Sequence, residues 1–218
     1  RQRRERSMAE RLANELLDNI AFRLVERQVG GWHEVRVTRV GAELMELTVP
    51  IDESSAQRLD LLVPDALPGA RVPLQSGASD WLRRALSICR TGSVVAIDYT
   101  SDTTEVARRP QWDWLRTYRH HERGAGPLVA PGAQDITCEV AVDQLATVRP
   151  PTRRSTQADW LVRHGIGELV EEGRRIWNES AARPGLAAMR ARSRVNEAAA
   201  LVDPRGLGGF EVIEWDLP

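Results

Sequence analysis

The sequence predicts an α/β fold, and three stretches carry that prediction. "SVVAIDY" at 93–99 is a continuous apolar run, the form taken by a strand buried on both faces of a sheet. "SDWLRRALSIC" at 79–89 precedes it with Leu82, Ala85, Leu86 and Cys89 on one helical face, and Thr91-Gly92 supplies the stop. Helical stretches within 155–202 then lead into a terminal strand in "GLGGFEVIEWDLP". Helix, buried strand, long connection, strand, helices and final strand follow the order of the back half of a doubly wound domain.

With 218 residues, a single domain over 1–218 is expected, carrying an insertion at about 30–75. A net charge of -1 argues against a sequence-wide attraction to nucleic acid or membrane. No apolar run approaches the ~20 residues that span a bilayer, and none follows the charged "RQRRERS", so a cytoplasmic protein is expected. Every one of the 30 basic residues is arginine, which reads as coding bias rather than chemistry. Cys89 and Cys138 sit far apart in apolar contexts and are expected as buried, reduced thiols. The four histidines have no partner at ligand spacing, so no metal site is expected.

Taken in order, "ANELLDN" at 13–19 admits two readings. Ser7 stands three residues before Glu10, as in a capping box, and Leu12, Leu16 and Ile20 keep helical spacing, which makes Glu15 and Asp18 helix surface. Alternatively a strand ends here in an acidic loop that does chemistry. "HEVRVTRV" and "ELMELTV" alternate around Gly41-Ala42 and predict a hairpin over Glu34–Val49. Residues 50–73 read as loop with short helical pieces. Asp98-Tyr99 ends the buried strand, and ligands bind at such carboxyl ends in open α/β sheets. Residues 100–134, dense in Arg, His, Gly and Pro, read as a long covering loop in which His120-His121 is solvated. "DITCEVAV" at 135–142 alternates as a strand, and "STQADWLVRHGI" gives a short helix capped by Ser155 or Thr156. Residues 166–178 and 185–202 are helical, with an exposed Arg-rich face at 183–194. The glycines at 206–209 precede a strand instead of opening a helix, so a tight turn is expected there and not a phosphate cradle.

Six segments occur in the order and rough spacing of the MidA-like methyltransferases: "ANELLDNIAF", "VVAIDYT", "LRTYRHH", "DITCEVAV", "TQADWLVRHGI" and "LVDPRGLGGFEVI". From Asn14 onward the chain resembles an actinobacterial member of that family, which depends on S-adenosylmethionine (SAM) and includes the mitochondrial complex I assembly factor that methylates an arginine. The resemblance implies a Rossmann-like methyltransferase fold, a doubly wound sheet with a final antiparallel strand at 210–215 and SAM across the strand ends. "NELLD" corresponds to the family's Asn-Glu-x-x-Asp motif after the fourth strand, Asp98-Tyr99 to the end of the fifth, and "RQRRER" to the basic segment after the second. The family's Gly-rich first loop and ribose-holding acid have no counterpart here, so the N-terminal cofactor half is expected to be missing. Only seven residues separate Arg6 from Asn14, and "SMAERLA", with two charges among them, is not expected to form the missing strand. Glu139 stands where the family often has a histidine.

What the resemblance implies chemically centres on the motif. Glu15 would grip an arginine acceptor, with Asp18 as a second carboxylate. Asn14 would be a neutral donor-acceptor beside the methyl group and the amino-acid end of the cofactor. Asp98 and Tyr99 would line the same cleft, and Tyr118 and Arg119 would close over it. A guanidinium is protonated at working pH and a poor nucleophile, so a carboxylate that grips its planar fork also steers electron density to the attacked nitrogen. The acceptor is expected to be a protein or a small molecule. The alternatives are a non-catalytic scaffold that has lost SAM, or half of a split enzyme whose Gly-rich half comes from a second chain; a homodimer is also compatible.

Overall fold

The computed structural model describes residues 9–120, 122–180, 182–183 and 185–218. The readings made for "RQRRER", Ser7 and His121 lie outside them. Two compact units are present, one formed by residues up to Pro151 together with Trp215–Pro218, the other by Thr152–Glu214.

The first unit begins with β1 (Ala9–Asn14), the strand that "SMAERLA" was not expected to supply. Two charges do not prevent it, because its order comes from the backbone: all six residues pair in parallel with the buried apolar strand that ends at Asp98. Arg11 and Leu12 stay exposed, and Ala13 is buried. The helical spacing of Leu12 and Leu16 is therefore coincidental, since both are exposed. A 3-10 turn at Leu17–Asn19 follows.

The insertion is a four-stranded antiparallel sheet in the order β4-β3-β2-β5. It consists of β2 (Arg23–Gln28), β3 (Gly31–Val40), β4 (Glu43–Pro50) and, after helix α1 (Glu53–Leu62), β5 (Arg71–Leu74). The predicted hairpin is the β3–β4 pair, longer by three residues at its start and one at its end, and Gly41 turns it at a φ of 62°. Val25, Trp32, Leu59 and Val72 form its buried core. Each such side chain contributes about 1.5–3 kcal/mol of burial. Asp52 caps α1 by accepting a hydrogen bond from the Ser55 N–H at 2.9 Å.

Helix α2 (Ser76–Ile88) buries Leu82 and leads to β6 (Gly92–Asp98), whose residues from Val94 onward are all buried. Residues 100–134, read as loop from the sequence, carry short elements up to Arg123 and remain loop beyond it: β7 (Thr100–Ser101), α3 (Thr103–Arg108), α4 (Gln111–Trp114), β8 (Leu115–Arg119) and β9 (Glu122–Arg123). Val106, Trp114 and Leu115 anchor them in the core. "DITCEVAV" breaks at Glu139 into β10 (Asp135–Cys138), paired with β8, and β11 (Val140–Ala141), paired with β7, before α5 (Val142–Ala146). Cys89 and Cys138 are free, buried thiols.

The second unit pairs β12 (Arg153–Thr156) antiparallel with β13 (Glu211–Leu217), whose last residues belong to the first unit. Between them run α6 (Gln157–Arg163), α7 (Ile166–Ser180) and α8 (Leu186–Leu201). Of the two candidate caps, Thr156 is the one used, accepting from the Asp159 N–H at 3.1 Å. The glycines at 206–209 make the expected tight turn, 3-10 at Leu207–Gly209. A Cβ on Gly208 would lie 2.4 Å from the Val202 carbonyl carbon and 2.8 Å from the Asp203 nitrogen, main-chain atoms that cannot step aside. Gly208→Ala is expected to cost about 1–3 kcal/mol by overpacking. A thermal melt indistinguishable from wild type would contradict that crowding.

Candidate functional site

Because β1 and β6 run parallel in register, with Asn14 opposite Ile97, their carboxyl ends open side by side. The ladder continues one step, the Glu15 N–H donating to the Ile97 carbonyl at 2.9 Å. The chain then leaves the strand sharply. Glu15 is left-handed (φ 46°), a conformation uncommon for a residue with a Cβ. Of the two readings of "ANELLDN", the strand ending in an acidic loop is the one the molecule adopts.

What holds the loop is Asp98. Its Oδ2 accepts the N–H groups of Leu17 (3.0 Å) and Asp18 (3.2 Å), and its Oδ1 accepts the N–H of Tyr99 (3.0 Å). The side chain is 1 % exposed. This corrects the expectation that Asp98 faces a substrate: it is buried, bound to three backbone N–H groups and not among the residues that line the cleft, so it acts beneath it. Burial, followed by the nearby Asp18 carboxylate, pushes its pKa up to about 7.

Above it lies an open cleft of about 510 Å³ lined by Glu15, Asp18, Asn19, Tyr99, Tyr118, His120, Asp135 and Thr137. Four of the residues predicted from the sequence, Glu15, Asp18, Tyr99 and Tyr118, thus come together. Asn14 is the exposed last residue of β1 and is not among the lining groups. Arg119 is also outside the lining, because alternate side chains of a strand point to opposite faces and Tyr118 holds the cleft side of β8. Asp18 is buried, and its Oδ1 accepts from Asn19 Nδ2 at 2.6 Å; burial raises its pKa. Tyr99 is shifted up as well, first by burial and then by the Glu15 charge, while the Arg116 guanidinium lies 5.4 Å over its ring.

Sequence reasoning missed Asn19, Asp135 and Thr137 as lining groups, and read His120 only as solvated loop. Asp135 and Thr137 reach the cleft because β10 pairs with β8, Asp135 opposite Tyr118 and Thr137 opposite Arg116. Beneath that wall sits a buried ionic cluster. Glu139, 8 % exposed, accepts from Arg109 (2.5 Å), Arg116 (3.1 Å) and the Ser101 hydroxyl (2.8 Å). Its burial was not foreseen; the only sequence signal was the departure from histidine at that position.

Among the described residues of the lining, Glu15, Asp18 and Asp135 are the acidic ones and His120 the only basic one, so the cleft suits a cation that can donate several hydrogen bonds. The scaffold beneath it makes a pH-dependent contribution. Asp98 has a folded pKa raised from 3.8 to about 7, so its stabilising protonated form is fully present below 3.8 and that contribution is lost as pH rises through about 7. Asp98→Asn should flatten that part of the slope and, by leaving a backbone N–H without its acceptor, cost about 1–3 kcal/mol at low pH. Urea unfolding at a series of pH values checks this; parallel curves for the two proteins would remove Asp98 from the account.

A family model described as "Putative S-adenosyl-L-methionine-dependent methyltransferase" matches residues 5–156. Two solved structures from Burkholderia thailandensis share the fold. One, the native crystal structure of an uncharacterized protein, superposes with a TM-score of 0.77 at 25% identity, covering 97% of this chain and 56% of its own. The other, bound to S-adenosyl-homocysteine, has a TM-score of 0.77 at 26% identity and covers 97% and 54%. This chain therefore spans little more than half the length of either. No curated protein matches the chain. With more than two thirds of its residues inside the family match and the fold shared as well, the chain belongs to this family of S-adenosylmethionine-dependent methyltransferases.

Proposed function

We propose that this chain forms the acceptor-facing wall of a SAM-dependent methyltransferase of the MidA-like type, and that its acceptor is the guanidinium of a protein arginine. The observation that carries this is the acidic cleft at the joined carboxyl ends of β1 and β6, with Glu15 and Asp18 from one strand end and Tyr99 from the other. That is where open α/β sheets take their ligands. The solved relative bound to S-adenosyl-homocysteine adds support.

The donor fits in part. No strand among the described residues is followed by a Gly-rich turn opening a helix, so this chain offers a place for the reacting end of SAM and not a cradle for the rest. Asn14, exposed at the end of β1, would sit beside its amino-acid end. SAM supplies, when bound, an electrophilic methyl group on sulfur.

The remaining tasks fall to the cleft. The Glu15 and Asp18 carboxylates accept paired hydrogen bonds from the planar guanidinium and fix one nitrogen toward the methyl donor. Their negative charge offsets the positive charge gathered on acceptor and donor. Tyr99 and Tyr118 flank the fork and narrow the cleft against water. Proximity of this kind contributes roughly 7–11 kcal/mol at its upper end.

Glu15→Gln should therefore leave SAM affinity within a few-fold of wild type while lowering methyl transfer to an arginine peptide by about 10²–10³-fold. Calorimetry with SAM and mass spectrometry of the peptide read the two separately. Unchanged transfer would remove Glu15 from the acceptor grip, and absent SAM binding by the wild-type protein would leave a non-catalytic scaffold or one half of a split enzyme.

A further inference from the structure

A second hollow, of about 940 Å³, opens on the other side of β8 from the acidic cleft. Leu115 and Thr117, which alternate with Tyr118 along the strand, line it, while Tyr118 lines the cleft. Its floor is apolar, with Val63 beside Leu115. The charge of its wall is opposite to that of the cleft: four arginines and a single carboxylate, Asp65.

Two of those arginines are already paired. Arg71 is bound to Glu26 at 2.7 Å and Glu46 at 2.8 Å, and Arg109 to Glu139. Arg108 and Arg123 are exposed, and among the described residues neither makes an ion pair. One Arg123 guanidinium nitrogen lies 3.4 Å from the Trp112 carbonyl, which ties that cation to the rim. The Trp112 side chain beside it is 72 % exposed. Arginine and tryptophan together are the residue types that dominate binding energy at protein interfaces. Elsewhere the wall is low: an added Cβ on Gly69 or Gly126 would meet nothing within 4 Å, so a peptide backbone can come close there.

We propose that this hollow docks an acidic peptide segment of a partner protein, its carboxylates on Arg108 and Arg123 and an apolar side chain on the floor beside Trp112. The same charges would exclude such a segment from the cleft, where Glu15, Asp18 and Asp135 repel it. The assignment does not depend on methyl transfer.

Fluorescence anisotropy with a short fluorescein-labelled peptide of glutamate and leucine tests it. Binding should weaken with added salt. It should fall by at least about tenfold in the Arg108→Glu/Arg123→Glu protein, one decade being worth about 1.4 kcal/mol. Arg108→Gln/Arg123→Gln and Trp112→Ala should weaken it in the same direction, with melting curves confirming that these exposed positions leave the fold intact. Affinity unchanged across the variants, or equal affinity for a lysine and leucine peptide, would overturn the proposal. Displacement by free glutamate at concentrations matching the peptide would also overturn it, in favour of a small-molecule site.

Discussion

The cleft exists because one buried carboxylate holds a loop by its backbone. Asp98, the last residue of β6, takes the Leu17 and Asp18 N–H groups on one oxygen and its neighbour's N–H on the other. Three donors converge on a side chain shut off from water, where each hydrogen bond is stronger than in solution and a missing acceptor is correspondingly costly. The left-handed Glu15 stands next to this constraint. The chain bends there as it leaves β1, and two residues later the Leu17 N–H is on Asp98. Removing the clamp would free the backbone to relax, and Glu15 and Asp18 would lose their shared orientation.

The opposite wall depends on buried amides. The Gln75 carboxamide donates to the Glu139 carbonyl at 2.9 Å and accepts from the Ala141 N–H at 2.7 Å. The Gln144 oxygen accepts from the Gln75 N–H, and the Gln144 nitrogen donates to the Pro73 carbonyl and the Thr103 hydroxyl. Both side chains are at most 2 % exposed. Their net worth is roughly 0.5–1.5 kcal/mol per bond, but a lost partner exposes a larger desolvation debt. This clasp binds β5, the strand break at Glu139 and α5 into one block. Glu139 is therefore presented at a fixed place beneath β8.

How far the sequence could be read follows from where order comes from. β6, α2 and α7 carry their own apolar patterns, so periodicity finds them. β1 is ordered by pairing with β6 and carries almost no apolar signal of its own, so a charge count argued against it. The segment 100–134 looked like loop because its composition is polar, yet Val106, Trp114 and Leu115, spaced irregularly, anchor the part up to Arg123. The same distinction runs through the cleft. Glu15, Asp18 and Tyr99 stand at strand ends that a motif can flag. Asp135 and Thr137 arrive through the register of β10 on β8, a long-range pairing that no local pattern encodes. Asp98 was visible as a residue and misread in role, since nothing local says whether a strand-end carboxylate turns outward or toward backbone.

Glu139 sets how much positive charge stands unpaired near the cleft. Arg116 lies over the Tyr99 ring at the edge of an otherwise acidic site, and Arg109 stands close behind the same strand. Left uncompensated, Arg116 would oppose the attraction of Glu15, Asp18 and Asp135 for a cation. Glu139 accepts from both arginines. In an interior of effective dielectric near 20, a pair at about 4 Å interacts with about 4 kcal/mol, against about 1 in water. Its charge is therefore directed largely at the two guanidinia, and theirs at it. One carboxylate shared by two guanidinia reduces their positive charge without cancelling it, and the Arg116 guanidinium still packs on Tyr99. A histidine at this position, neutral near pH 7, would leave both guanidinia without their carboxylate, and Arg116, the one beside Tyr99, would weaken the acidic character of the cleft with no change in the residues that line it.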